Sequence, residues 1–244
     1  MKRFFKISLF VILGVFCVAG NSLAIPTIDG TFSLSEWAGY YADDDGVLNT
    51  SGYVEPGWGG QLFDVEYLGL YITSDEVYFG LQTGFDVAAA DVSGYRPGDF
   101  ALDVNGDGTY DYAIDFSISG TTASFSLFEV TSWEDSDYFS TANPFEMNEG
   151  TEVADFTGAF GSGIYDNNID GGSSYVLEGS FNLSLLNAYA GNDIGIHWTM
   201  ECGNDYLTQT SAPVPEPATM LLFGCGLIGL ATVGRKKFQK AITT

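Results

Sequence analysis

Between residues 63 and 200 apolar side chains return at every second position, and that period decides what core this chain can build. Val77, Phe79, Leu81, Thr83 and Phe85 alternate with Tyr78, Gly80 and Gln82, directly after the turn residues Ser74, Asp75 and Glu76. Tyr110, Tyr112, Ile114, Phe116 and Ile118 share one face of a second segment, with Asp111 and Asp115 on the other. Residues 63–73, 124–130, 175–183 and 194–200 repeat the pattern, separated by Gly, Asp and Asn. A strand turns successive side chains to opposite faces, so each such segment buries one face and wets the other; no stretch carries the 3.6-residue period of an amphipathic helix. At least six strands follow. They predict an all-β fold, a two-sheet antiparallel β-sandwich of jelly-roll type. No repeat of 20–50 residues is present, which counts against a propeller or solenoid.

Charge is segregated along the chain. Of the 8 Lys and Arg residues only Arg96 lies away from the two ends, whereas all 32 acids fall between Asp29 and Glu216, leaving that body at −31. Such a field excludes nucleic acid and anionic lipid surfaces as partners and favours cations or neutral polar ligands. The body is nevertheless rich in Phe, Tyr, Val and Ile, which acidic disordered chains lack, so it folds.

Both ends read as targeting segments. Lys2, Arg3 and Lys6, the apolar residues 7–20 and the small-residue site Ser22-Leu23-Ala24 form a signal peptide, residues 1–24, cut by signal peptidase after Ala24. Phe16 before Cys17 argues against a lipoprotein site. At the other end, Pro215, Glu216 and Pro217 close a linker (212–217). An uncharged run (218–234) and the cations Arg235, Lys236 and Lys237 of a basic tail (235–244) follow. The run rises about 25 Å as a helix, enough for a short transmembrane span, and the cations place the tail in the cytoplasm. One domain, residues 25–211, lies between. Its single thiol, Cys202, has no partner within it, so the core rather than a disulfide holds it together.

The order of Pro-Glu-Pro, a Gly-rich apolar helix (Gly224, Gly226, Gly229) and Arg-Lys-Lys resembles the PEP-CTERM sorting tail of Gram-negative bacteria, also called the ice-binding protein C-terminal domain. That resemblance implies recognition by an exosortase, transient anchoring in the inner membrane, and delivery to the cell surface, outer membrane or extracellular matrix. Ile28-Asp29-Gly30, Glu36-Trp37 and residues 75–80 (Asp-Glu-Val-Tyr-Phe-Gly) resemble the start of family 9 carbohydrate-binding modules, which implies a sandwich that binds sugar. Residues 197–205 are similar to a segment found in a subset of PEP-CTERM proteins.

The sharpest chemical pattern is a calcium-loop spacing. Asp103, Asn105 and Asp107 stand at positions 1, 3 and 5, Gly108 at 6, Thr109 at 7 and Asp111 at 9. Position 12 is Ile114 rather than a bidentate Glu, so the alternatives are a calcium-bound hairpin or a turn that uses residues 105–108 for positive φ. Asp166, Asn168 and Asp170 repeat the spacing as a second metal loop. Trp58 and Trp133 lie in loop-like surroundings where an exposed ring could stack on a sugar. His197, the one histidine, alternates away from the apolar set, and its offset of five from Cys202 puts the two on opposite faces of a strand, which argues against a thiol–imidazole pair. The expectation is a non-catalytic, calcium-stabilised protein that binds or builds extracellular polysaccharide, with a secreted glycoside hydrolase or other hydrolase as the rival.

Overall fold

Ten strands hydrogen-bond into one continuous antiparallel sheet. In chain order they are β1 (Tyr41–Asp43), β2 (Val65–Ile72), β3 (Glu76–Thr83), β4 (Phe100–Asp103), β5 (Tyr112–Ser119), β6 (Thr122–Glu134), β7 (Glu146–Ile164), β8 (Ser174–Asn182), β9 (Ile194–Thr199) and β10 (Tyr206–Ser211). The computed structural model describes residues 25–43, 59–164, 173–187, 189 and 191–214; the expected leader, sorting segment and transmembrane run, Trp58, and the loop holding Asp166, Asn168 and Asp170 lie outside them. Among the described residues no helix is long and apolar enough to cross a membrane.

The spatial order is β1-β2-β3-β8-β7-β6-β5-β4-β9-β10, a five-strand meander from β4 to β8 flanked by the three antiparallel strands β1–β3 on one side and the β9–β10 hairpin on the other. The six segments predicted from alternation are all present, as β2, β3, β5, β6, β8 and β9. The division into two sheets is corrected. β7 pairs with both β6 and β8, and β4 with both β5 and β9, so no break separates one layer from another. The sheet curls until its ends nearly meet: Asp205 Oδ2 accepts the Val65 N–H at 2.6 Å at one end of β10, and Val214 N–H donates to the Ile72 carbonyl at 2.8 Å beyond the other. Near-closure protects most of the open edge that a flat sheet of this size would expose.

Alternation fills the inside. Leu68, Leu81 and Leu177 face one another across β2, β3 and β8, and Phe100, Ile114 and Leu127 across β4, β5 and β6, all 0 % exposed. Phe79 stands at the centre, 5.0 Å from Phe100 and 5.1 Å from Phe125 between ring centroids. Its room comes from Gly179 directly across the ladder, where an added Cβ would stand 2.5 Å from the Phe79 ring.

Two segments cover the outside of this curled sheet. Residues 25–40 cross the outer face of β2, β3 and β8, where Trp37, 0 % exposed, lies on the bare backbones of Gly69 and Gly80; Cβ atoms there would approach it to 2.5 and 2.9 Å. Residues 135–145, between β6 and β7, fold over β9. The ring of His197, on β9, lies beneath this second cover.

Candidate functional site

The calcium-spaced loop joins β4 to β5, and the structure brings its predicted residues together. Asp103 accepts N–H bonds from Asn105 (3.2 Å), Gly106 (2.7 Å) and Gly108 (2.9 Å); Asn105 Oδ1 accepts from Asp107, Asp107 Oδ1 from Thr109, and Asp111 Oδ2 from Val104. Gly106 and Gly108 have φ of 74° and 83°, so the positive-φ turn is present. Burial, with the charges of Asp107 and Asp103 adding to it, pushes the Asp111 carboxyl above its usual range, and Asn105 Nδ2 donates to its other oxygen at 3.3 Å. Among the described residues no three His, Cys, Asp or Glu side chains converge as a metal cage. The loop's oxygens cap the loop's own amides: Asp103 Oδ1 accepts two such bonds, while Asp103 Oδ2, Asp107 Oδ1 and Asp111 Oδ2 each accept one and keep a second lone pair.

His197 is a buried clip rather than a surface base. Its Nε2 lies 2.9 Å from the Ala142 carbonyl and 3.1 Å from that of Pro144, its Nδ1 lies 3.2 Å from Thr208 Oγ1, and it is 1 % exposed. Burial lowers its pKa to about 4 against the opposing pull of those carbonyls, so at neutral pH the ring is uncharged and its N–H fastens the 135–145 cover to β9. Cys202 joins the inner core at 1 % exposure, where burial pushes its thiol up. A thiol held protonated inside a core is a poor nucleophile.

Trp133 belongs to β6, not to a loop. Its Nε1 donates to the Tyr110 carbonyl at 3.0 Å and its ring meets Tyr110 edge-on at 6.3 Å, and it is half-buried. Tyr110 in turn lies 5.5 Å from the His197 ring. Arg96 fastens the β3–β4 crossover to the same cover: it donates to Glu201 Oε1 through Nε (3.2 Å) and Nη2 (3.1 Å), reaches Glu146 through Nη1, and lies 5.0 Å over the Phe145 ring. Burial works against the Glu201 charge, but the Arg96 hydrogen bonds outweigh it and hold that carboxyl below its ordinary value.

Two carboxyls missed by sequence reasoning are strongly raised. Asp99, 7 % exposed, is pushed up to about 7 by burial, with Asp115 and Glu146 adding to the shift, while its Oδ2 accepts the Met147 N–H at 2.9 Å. Glu178, 0 % exposed, is likewise raised to about 7 by burial; it accepts from Asp29 N, Gly30 N and Trp37 Nε1 and so ties residues 25–40 to β8. Neither lines the two hollows on the outer face of β5–β7. Glu178 anchors a covering segment, and Asp99 holds the start of β7 just after the other.

What remains open is the outer face of β5, β6 and β7. Cross-strand register aligns Asp115, Ser126 and Asp155 in one row and Ser117, Ser124 and Thr157 in the next, and these six line a groove of about 450 Å³. Ser126 Oγ donates to Asp155 Oδ1 at 2.6 Å; the other five are exposed. A neighbouring hollow of about 370 Å³ shares Phe116 and Ser117 and runs up to Arg96 and Glu146.

Residues 213–237 match the family model for the PEP-CTERM protein-sorting motif. The motif implies export, membrane anchoring in transit and processing by an exosortase, and the match contains Pro215, Glu216, Pro217, Arg235, Lys236 and Lys237. No curated protein and no solved structure matches the chain. The hydroxyl rows did carry a sequence signal, the alternation of Asp115, Ser117 and Ser119 with Phe116 and Ile118, but its continuation across three strands depends on a register that one strand cannot display.

Proposed function

We propose that the exported body is a non-catalytic component of the extracellular polysaccharide matrix that holds neutral glycan along the outer face of β5–β7. The open groove of carboxylates and hydroxyls carries this reading. Asp115 and Asp155 offer acceptor oxygens, and the four hydroxyls both donate and accept, the pairing that the hydroxyl-rich edge of a sugar chain requires. A body at −31 repels anionic chains, which narrows the ligand to neutral ones or ones bridged by cations. The fate of the strongly shifted groups also supports it over hydrolysis: Glu178 and His197 hold covering segments, and Asp99 holds the start of β7. The resemblance of the first third to carbohydrate-binding modules agrees with the same ligand class.

Ser124, central and exposed, is the position to test. With Ser124→Trp in the full-length protein, retention on purified exopolysaccharide is expected to fall by roughly tenfold or more, since a bulky ring there fills the groove. Circular dichroism checks that the variant remains folded. Unaltered retention would remove this face from the account, and turnover of any glycan by the wild type would favour the hydrolase.

Calcium at the Asp103–Asp111 loop belongs to the same proposal. An ion held by Asp103, Asn105, Asp107, Thr109 and Asp111 would relieve repulsion in a strongly acidic body and stabilise the fold by binding it preferentially. EDTA is then expected to lower the melting midpoint of the wild type by several degrees, and Asp103→Asn with Asp107→Asn to shrink that response. Equal midpoints with and without EDTA would leave the loop as a turn only.

A further inference from the structure

Where β2 begins, a cluster of polar side chains is buried with more acceptors than donors. Glu66 sits in the bulge that shifts the β2–β3 register between Val65 and Tyr67, and it is 3 % exposed. Its Oε1 accepts from Gln61 Nε2 and from Ser174 Oγ (2.7 Å), and its Oε2 accepts from Gln82 Nε2. Gln82 and Ser174 are 0 % exposed and Gln61 is 9 %. The amide oxygens of Gln61 and Gln82 are buried and accept no hydrogen bond. Three protein segments thus bring their polar groups to one point: the approach to β2, the end of β3 and the start of β8. They leave two oxygens there without a donor.

The buried Glu66 carboxylate meets three neutral donors, two of them from amides with unmatched oxygens, and no positive charge among the described residues. Arg96 is the sole Lys or Arg among the described residues, and it is committed to Glu134, Glu146 and Glu201. Glu178 shows the contrast. It is as deeply buried, but three N–H donors from residues 29–37 meet its carboxylate and no neighbouring oxygen is orphaned. Around Glu66 two of the three donors come from amides whose own oxygens stay unmatched. A half-turn of an amide exchanges oxygen for nitrogen without changing its shape, so Gln61 and Gln82 can each turn an oxygen toward the Glu66 carboxylate once a cation lies between.

We propose that Gln61, Glu66, Gln82 and Ser174 form a buried, all-oxygen site for a hard divalent cation, with calcium as its occupant. Carboxylate, amide carbonyl and hydroxyl oxygens are the donors calcium accepts in irregular, high-number shells, whereas magnesium holds to octahedral geometry and keeps its waters. Asp64, 2 % exposed and two residues ahead of Glu66, places a second carboxylate at the same entrance to β2. The site is separate from the β4–β5 loop and draws on none of its residues. Bound there, the ion would tie β2, β3 and β8 together at one end of the sheet.

The test is calcium stoichiometry in a full-length chain whose acidic loops have been disabled by Asp103→Asn, Asp107→Asn, Asp166→Asn and Asp170→Asn. After equilibration with calcium chloride and desalting, elemental analysis is expected to find about one calcium per chain, the capacity of a single such site. Adding Gln82→Met, which keeps the side chain's length and removes the amide oxygen, is expected to abolish it. Should Gln82→Met not fold by circular dichroism, Ser174→Ala removes one donor from the shell without adding bulk, and is expected to weaken calcium binding by roughly tenfold or more. The proposal is overturned if the loop-disabled protein is folded and retains no calcium, which would leave a buried water as the partner of the amide oxygens. It is equally overturned if retention is unaffected by the folded Gln82 or Ser174 variant.

Discussion

Replacing Trp37 by alanine is expected to destabilise the protein by about 3–5 kcal/mol, the range for removing a fully buried large aromatic ring. The size follows from what the ring does. Residues 25–40 form no ladder with β2, β3 or β8 at this point; they hold the outer face through Trp37, which stacks on Phe32 at 5.2 Å with 10° between planes and is 0 % exposed. Its Nε1 also approaches Glu178 Oε1 at 3.4 Å. Removing the ring leaves a hollow floored by two glycine backbones that cannot fill it, and uncovers a buried carboxyl. Trp37→Phe loses the N–H and part of the indole that lies on Gly69 and Gly80 but keeps a ring in the site, so its cost should be smaller, about 1–3 kcal/mol. Urea unfolding of both variants measures the difference; equal, sub-kilocalorie effects would mean that the N-terminal segment is not part of the cooperative fold.

Stability should rise as pH falls from 8 to about 5.5, the opposite of what salt-bridged carboxylates usually give. Asp99 and Glu178 have folded-state pKa values raised to about 7 from 3.8 and 4.5. Between those limits the folded state binds more protons than the unfolded one, so the cost of burying each charge is present above pH 7 and is relieved as pH falls through it. His197 works the other way. Its folded value of about 4 lies below the ordinary 6.5, so burying it neutral costs stability as pH drops through 6.5. Two groups oppose one, and the net gain between pH 8 and 5.5 is on the order of 2–3 kcal/mol at 1.36 kcal/mol per unit. The charged neighbours do not reverse the sign: Asp115 and Glu146 raise Asp99 further and Arg96 lowers it only in part, while Asp29 adds to the shift of Glu178. Asp99→Asn and Glu178→Gln should each flatten the profile; the raised carboxyls of Glu66, Asp111, Asp115 and Glu146 act in the same direction and remain in the double variant. A wild type more stable at pH 8 than at 5.5 would contradict the burial of both carboxyls.

Much of the barrel-like wall was legible because its strands have one dry face. β3 and β5 announce themselves through Val77, Phe79, Leu81, Ile114 and Phe116, whose alternation is a direct image of burial. β7 is the longest strand and was invisible. It carries Gly150, Gly158, Gly161 and Gly163 among its 19 residues, a composition with low strand propensity. It is extended because β6 and β8 pair with it from both sides; at Gly158 an added Cβ would stand 2.0 Å from the Glu178 carbonyl, so the glycine is a fit to a neighbour rather than a turn signal. The continuity of the sheet was hidden for the same reason: without β4 and β7 nothing in the sequence joins one group of strands to the other.

At the level of the site, spacing records local geometry and not long-range surroundings. Asp103 through Asp111 needed only local geometry, and they form a closed turn as their order suggests. The environment of Trp133 depends on Tyr110, 23 residues away, and that of His197 on carbonyls more than 50 residues away, which no local pattern records. The Glu66 cluster joins residues up to 108 apart in sequence and contains two glutamines that nothing in the chain marks as chemical.

The central claim is that this acidic, strand-rich body is made for export and is routed by its C-terminal motif. Fractionation of cells producing the wild type and a variant with Pro215, Glu216 and Pro217 replaced by alanine tests it most directly. The wild type is expected outside the inner membrane, shortened at both ends, while the variant accumulates in the inner-membrane fraction with its leader removed. Full-length wild type recovered folded from the cytosol, with residues 1–24 still attached, would contradict the account.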